Sequence, residues 1–322
     1  MVSSSAFDSD DDFIFGVDLS NLDVSEIVDE GISSFIHEEE SSQSYQKPDY
    51  SSRITNLLST TTRFPVLETP VTQLQFDNLF SWATSIGAEL DGIACVEDIY
   101  GGRGLAARQK FVVGDMLAIL PRELRIGQTV ACKHLGIPSD TPDLSALSMF
   151  LLDLASSEES EEKFLHYARC LPKFGSNGLF QSDEDDDHYD AFGEEYTEAI
   201  KAIRSQAKSC KDYIYEVLIG ESPLEDQAPT IPLLWAISMV QTRTHGFGSN
   251  RGRWLTPIFD FANHSPNPNS KLEGDSDGRL VLRALKAIDA NEDITIDYQV
   301  PDDSKLRATY GFSLLHAPRN TV

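Results

Sequence analysis

Three short stretches of this 322-residue chain combine residue types that could do chemistry. The first is Gly102-Arg103-Gly104-Leu105. Glycines at this spacing let a backbone turn tightly and approach a ligand closely. The second is Pro257-Ile258-Phe259-Asp260-Phe261-Ala262-Asn263-His264, an apolar run that ends in a polar pair. Asn263 can donate and accept hydrogen bonds, and His264 carries distinct donor and acceptor nitrogens, so together they could bracket a purine ring or fix a chain crossing. The third is Glu292–Tyr298, an alternating run ending in a phenol, followed twelve residues later by Tyr310-Gly311-Phe312. A phenol at a strand end can orient an attacking amine, and aromatic rings can wall a narrow apolar passage. Each stretch alone has an ordinary structural reading: a turn, a satisfied histidine, core tyrosines.

Other chemistry has less support. Gly102-x-Gly104-x-x-Ala107 with Glu123 downstream fits a dinucleotide-binding fingerprint, but that motif must open a helix. Residues 108–120 contain Phe111, Val112, Val113, Gly114 and Pro121 and read as a hairpin. His134, His166, His188 and His245 have no metal-ligand spacing, and Cys95, Cys132, Cys170 and Cys210 form no close pair. No metal site is expected, and the four thiols read as reduced and buried. There is no GxSxG elbow or Walker loop.

The elements that must position these residues are legible in outline. Leu74, Phe76, Leu79, Phe80, Ala83 and Ile86 recur at helical spacing, with Gly87 as a stop. Ile93–Tyr100 and Met116–Leu120 read as strands, joined through a glycine turn at 101–105. Asp143–Ala155 reads as an apolar helix. Phe192–Leu218 carries Tyr196, Ile200, Ile203, Ala207, Cys210, Ile214 and Val217 on one helical stripe. Pro232–Arg243 reads as a helix with its proline in the first turn. Strands are then expected at Leu255–Phe261, Ser270–Glu273, Leu280–Ala284 and Asp293–Tyr298, with a last helix from about Asp302. The fold class is α+β. Residues 1–70 are expected to be an acidic disordered tail, 71–128 and 243–322 two β-rich parts of one domain, and 129–242 a helical insertion between them.

The net charge of −26 disfavours binding to nucleic acid or anionic membrane. It is uneven: residues 1–50 hold thirteen acidic residues against the single Lys47. No apolar run approaches the roughly 20 residues of a membrane helix. The acidic N-terminus is neither a secretory signal nor a typical transit peptide, so an intracellular location is expected, in cytoplasm or nucleus, with no support for the chloroplast.

The order of the three stretches resembles the SET-domain protein methyltransferases, closest to the subgroup of the Rubisco large-subunit lysine methyltransferase and its actin-histidine relatives. The resemblance rests on Gly102-Arg103-Gly104-Leu105, a helical segment from Trp235 to Thr242-Arg243, the Pro257/Asp260/Asn263/His264 motif, and Tyr298 before Tyr310-Gly311-Phe312. It covers roughly residues 72–315, and Gly101 stands where the family usually has an acidic residue. The resemblance implies a SET fold of small twisted β-sheets with a pseudoknot. It implies methyl transfer from S-adenosyl-L-methionine to a lysine of a non-histone protein by a monomeric enzyme. Tyr298 would be catalytic. Gly102, Arg103, Gly104, Arg243, Asn263 and His264 would bind the cofactor. Asp260, Tyr298, Tyr310 and Phe312 would face the substrate. Histidine methylation, or a catalytically idle SET domain that serves as an interaction module, are the alternatives.

Overall fold

In the computed structural model, the described residues are 14–15, 49–97, 103–158, 163–180, 193–221, 230–247 and 252–314. The first helix, α1 (Asp49–Leu58), lies inside the segment expected to be a disordered tail. It is ordered because Ile54, Leu57 and Leu58 enter the core. Its Arg53 also forks onto the Asp153 carboxylate at 2.7 and 2.9 Å. Ten residues with one apolar stripe are too short to signal a stable helix alone; tertiary burial supplies the stability.

Helix α2 (Pro65–Glu68) is a single turn. Helix α3 (Gln73–Ser85) follows the predicted spacing, and the Gln75 side chain accepts the Thr72 backbone N–H at 2.7 Å at its start. Strands β2 (Ile93–Glu97), β3 (Arg103–Ala107) and β4 (Met116–Leu120) come next. The turn expected across 101–105 is displaced: Arg103, Gly104 and Leu105 are already strand, paired with β2. Gly102 lies outside the described residues.

The helical block comprises α4 (Gln128–Leu135), α5 (Asp143–Ser156), α6 (Leu165–Cys170), α7 (Glu194–Tyr213) and α8 (Ile231–Arg243). Helix α5 is buried nearly all round and packs on α8 and α4. Val217, expected on the α7 stripe, is 53% exposed. A π-helical turn over Ile214–Ile219 continues α7 and resets its phase, which carries Val217 off the buried face.

Strands β5 (Thr244–Phe247) and β6 (Gly252–Leu255) follow α8 directly, and β5 also pairs with the two-residue strand β1 (Ile14–Phe15). The strand expected over Leu255–Phe261 stops at Leu255. Ile258 takes φ +77°, and Phe259–Phe261 form a 3-10 turn. A positive φ is costly for a β-branched residue, roughly 1–3 kcal/mol. Ile258 is fully buried, so packing overrides the strand preference of the sequence. Then come β7 (Asn263–His264), β8 (Ser270–Gly274), β9 (Leu280–Ala284), β10 (Asp293–Ile296) and α9 (Asp303–Tyr310).

The described strands form three small sheets, ordered β1-β5-β6, β2-β3-β10-β7 and β4-β9-β8. The second sheet positions the site. In it β10 runs antiparallel to β3, with Ile294 opposite Leu105, and parallel to β7, with Ile296 opposite His264.

Candidate active site

That four-stranded sheet brings the three stretches together. Asn263 approaches β3 so closely that a Cβ added to Gly104 would stand 2.7 Å from Asn263 Nδ2. Glycine is needed at 104 for this reason of space. His264 faces the end of β10, where its Nδ1 accepts the backbone N–H of Tyr298 at 3.1 Å. The bond requires an unprotonated Nδ1, which burial favours by holding the imidazole pKa below its usual value.

Tyr298 is buried, and its hydroxyl donates to the Ala262 carbonyl at 2.9 Å. Burial pushes its phenol pKa well up, so it stays protonated across the physiological range. Its ring centroid lies 4.7 Å from that of Tyr310 and 5.1 Å from that of His264. Phe312 closes the cluster at 6.2 Å from Tyr310 and 6.4 Å from His264, and it is 39% exposed. These rings make an aromatic wall with one open edge.

Gly311 sets the direction of that wall. It ends α9 with φ +80°, and a Cβ there would lie 2.0 Å from the Ser176 carbonyl oxygen. Ser176 in turn donates its hydroxyl to the Tyr310 carbonyl at 2.9 Å.

Arg243, the last residue of α8, points back at the turn before β7. Its Nη1 donates to the Asp260 carbonyl at 3.0 Å and stands 3.8 Å from the Asp260 carboxylate. Its guanidinium lies 5.2 Å from the Phe261 ring centroid. Arg103 reaches the other way, donating to the Val71 carbonyl at 3.2 Å and stacking over Phe76.

Asp260 faces inward. Its side chain has no exposure, and its Oδ2 accepts the Tyr167 hydroxyl at 2.5 Å. Burial raises its pKa to about 6, against the opposing pull of Arg243 and the Tyr167 hydrogen bond. An enclosed carboxylate beside Arg243 serves the interior of the site. Tyr167 itself went unread in the sequence. Its partner lies 93 positions away, and no local spacing signals it.

Gly104, Arg243, Asn263, His264, Tyr298, Tyr310 and Phe312 thus gather around one sheet end, with Asp260 enclosed beside Arg243, while the Arg103 side chain turns toward Val71 and Phe76. Two cavities, of about 370 and 360 Å³, lie elsewhere, against Arg53 and against Lys173, where burial lowers the Lys173 pKa to about 8. Among the described residues no cluster of His, Cys, Asp and Glu could hold a metal, all four cysteines are free and buried, and no helix is long and apolar enough to cross a membrane. Strand β3 does not open a helix, which removes the dinucleotide-binding reading of Gly102-x-Gly104.

The SET domain family pattern matches residues 102–299, more than half of the chain. The chain belongs to the SET-domain family. The match begins at the glycine pair and ends one residue past Tyr298, so it spans the site just described. The SET chain is 26% identical over 254 residues to the actin-histidine N-methyltransferase of Homo sapiens, covering 74% of this chain and 42% of that protein. The actin-histidine N-methyltransferase of Gallus gallus matches at 25% over the same shares. The chain therefore spans less than half the length of these relatives. In fold, it is similar to the SET domain of LSMT bound to lysine and AdoHcy, with a TM-score of 0.61 at 18% identity, covering 76% of this chain and 58% of that one. It is similar also to Rubisco LSMT bound to AdoMet, with a TM-score of 0.58 at 20% identity, covering 78% and 57%. The architecture of small sheets around an inserted helical block is thus a SET fold.

Proposed function

We propose that this SET domain transfers a methyl group from S-adenosyl-L-methionine to a side-chain nitrogen of a protein. The observation that carries the reading is the convergence of Gly104, Asn263, His264 and Tyr298 at one sheet end. One observation bears on the fit of the methyl donor. Arg243 Nε and Asp260 Oδ1 are buried with no hydrogen-bond partner among the described residues. Arg103, Gly104, Arg243, Asn263 and His264 would hold the amino-acid and nucleoside portions. When bound, S-adenosyl-L-methionine supplies an electrophilic methyl on a sulfonium.

Tyr298 orients the acceptor. A hydroxyl that gives its single hydrogen to Ala262 can only accept from an incoming amine N–H. Because its phenol stays protonated, Tyr298 does not remove the amine proton. A lysine amine, ordinarily near pKa ~10.4, is deprotonated more readily in an apolar site beside positive charge. Alignment of the lone pair supplies much of the rate.

Lysine is the acceptor we propose. The Tyr298, Tyr310 and Phe312 rings suit a slim cationic chain entering past the open edge at Phe312. Histidine is the second reading, supported by the named activity of the relatives that match across 74% of the chain. An intracellular, monomeric enzyme belongs to the same proposal, and the four free buried thiols support a reducing compartment.

The test is incubation with cofactor labelled in its methyl group and a proteome extract, followed by mass spectrometry of the labelled residue. Label on a protein lysine supports the first reading, and label on histidine the second. Cofactor binding without transfer to any protein would leave an idle interaction module instead.

A further inference from the structure

Residues 260–264 each hold one part of the site. Asp260 binds Arg243, and Phe261 packs edge-on against Phe76 beneath the Arg243 guanidinium. Ala262 accepts from the Tyr298 hydroxyl, Asn263 abuts Gly104, and His264 accepts from the Tyr298 backbone. The segment is two residues of β7 preceded by a 3-10 turn that starts from a strained Ile258. Backbone pairing with β10 covers Asn263, His264 and Ser265 but not Asp260, whose backbone is held by the Thr256 carbonyl and Arg243, so its carboxylate needs an anchor of its own.

That anchor comes from the helical block. Tyr167, in α6, is fully buried and donates its hydroxyl to Asp260 Oδ2 at 2.5 Å. Its ring also lies 6.5 Å from that of Phe261, edge-on. We propose that Tyr167 is a positioning residue for methyl transfer, fixing the Asp260 carboxylate so that Arg243 and the Ala262 carbonyl stand where the cofactor and Tyr298 need them. Only the kinetic readout of this proposal rests on the methyl-transfer reading.

The groups facing Asp260 are Tyr167 and Cys170 from α6, Cys95 from β2, Arg243 from α8 and Tyr298. Burial raises both thiols and both phenols, Cys95 to about 12. Of this set only the Asp260 carboxyl titrates between pH 4 and 8, at about 6. The Tyr167 hydrogen bond favours its charged form.

The experiment uses the full chain and Tyr167→Phe, which keeps the ring against Phe261. Carbon-13 NMR of aspartate-labelled protein reads the Asp260 titration without any turnover. The midpoint is expected to move upward from about 6 by roughly one pH unit in Y167F. In turnover, kcat is expected to fall about tenfold with KM for the cofactor changed less than about threefold. Asp260→Asn should lose activity comparably, and the Y167F/D260N double variant should be no worse than D260N alone. An unmoved titration overturns the proposal even if the enzyme proves inactive. Additive losses in the double variant overturn it as well, since Tyr167 would then act elsewhere.

Discussion

The side-chain nitrogen of Asn263 stands 2.7 Å from the place a Cβ on Gly104 would occupy. The Asn263 side chain thus reaches across from β7 to fill the space beside Gly104 in β3. Adding one methyl at Gly104 must displace Asn263 or the strand that carries it. Gly104→Ala should weaken cofactor binding about tenfold or more, and Asn263→Ala should weaken it too. Calorimetry on G104A, N263A and the pair should show non-additive losses, because one contact is shared. Wild-type affinity in N263A would remove that residue from the cofactor site.

Tyr298→Phe should keep the fold and the cofactor affinity but lower methyl transfer about a hundredfold or more. It removes the acceptor oxygen and one buried hydrogen bond to Ala262, at about 1 kcal/mol in stability. A radiolabelled-methyl assay beside a cofactor titration separates the two effects. Undiminished turnover would take Tyr298 out of its role.

Gly311→Ala should destabilise the chain by about 2 kcal/mol or more. The left-handed backbone alone costs about 1–2 kcal/mol for a residue with a Cβ. The contact at 2.0 Å with the Ser176 carbonyl adds to it, since backbone on both sides cannot easily yield. Thermal melting measures the loss. An unchanged melting temperature would mean that the Tyr310-Gly311-Phe312 corner relaxes freely.

Arg53 ties α1 to α5 through Asp153. Burial alone would raise the Asp153 pKa, but hydrogen bonds from His134 and Arg53 outweigh it and hold the carboxyl below its usual range. A depressed carboxylate stabilises the fold above its unfolded pKa of ~3.9, and loses that contribution as pH falls through the folded value. Arg53→Met should therefore cost about 1 kcal/mol near neutral pH, because Arg53 is 42% exposed and screened. Urea unfolding at neutral pH and at pH below about 4 should show the difference between variant and wild type shrinking in acid.

Residue type and order were enough to single out Gly104, Asn263, His264 and Tyr298 and to expect a helical block between two β-rich parts. Those signals are local: an Asn-His pair after an apolar run, a phenol ending an alternating strand, period-3.6 stripes over α3 and α7. What the tertiary structure decided is non-local. Helix α1 is ordered by a core it does not itself contain. Ile258 leaves the strand its sequence favours because buried packing outweighs a backbone preference. Asp260 turns inward onto Tyr167, a residue 93 positions away with no pattern linking the two. Periodicity reports which face of an element is apolar, whereas the pairing of buried polar groups depends on which elements meet, and only the assembled sheet and helical block set that.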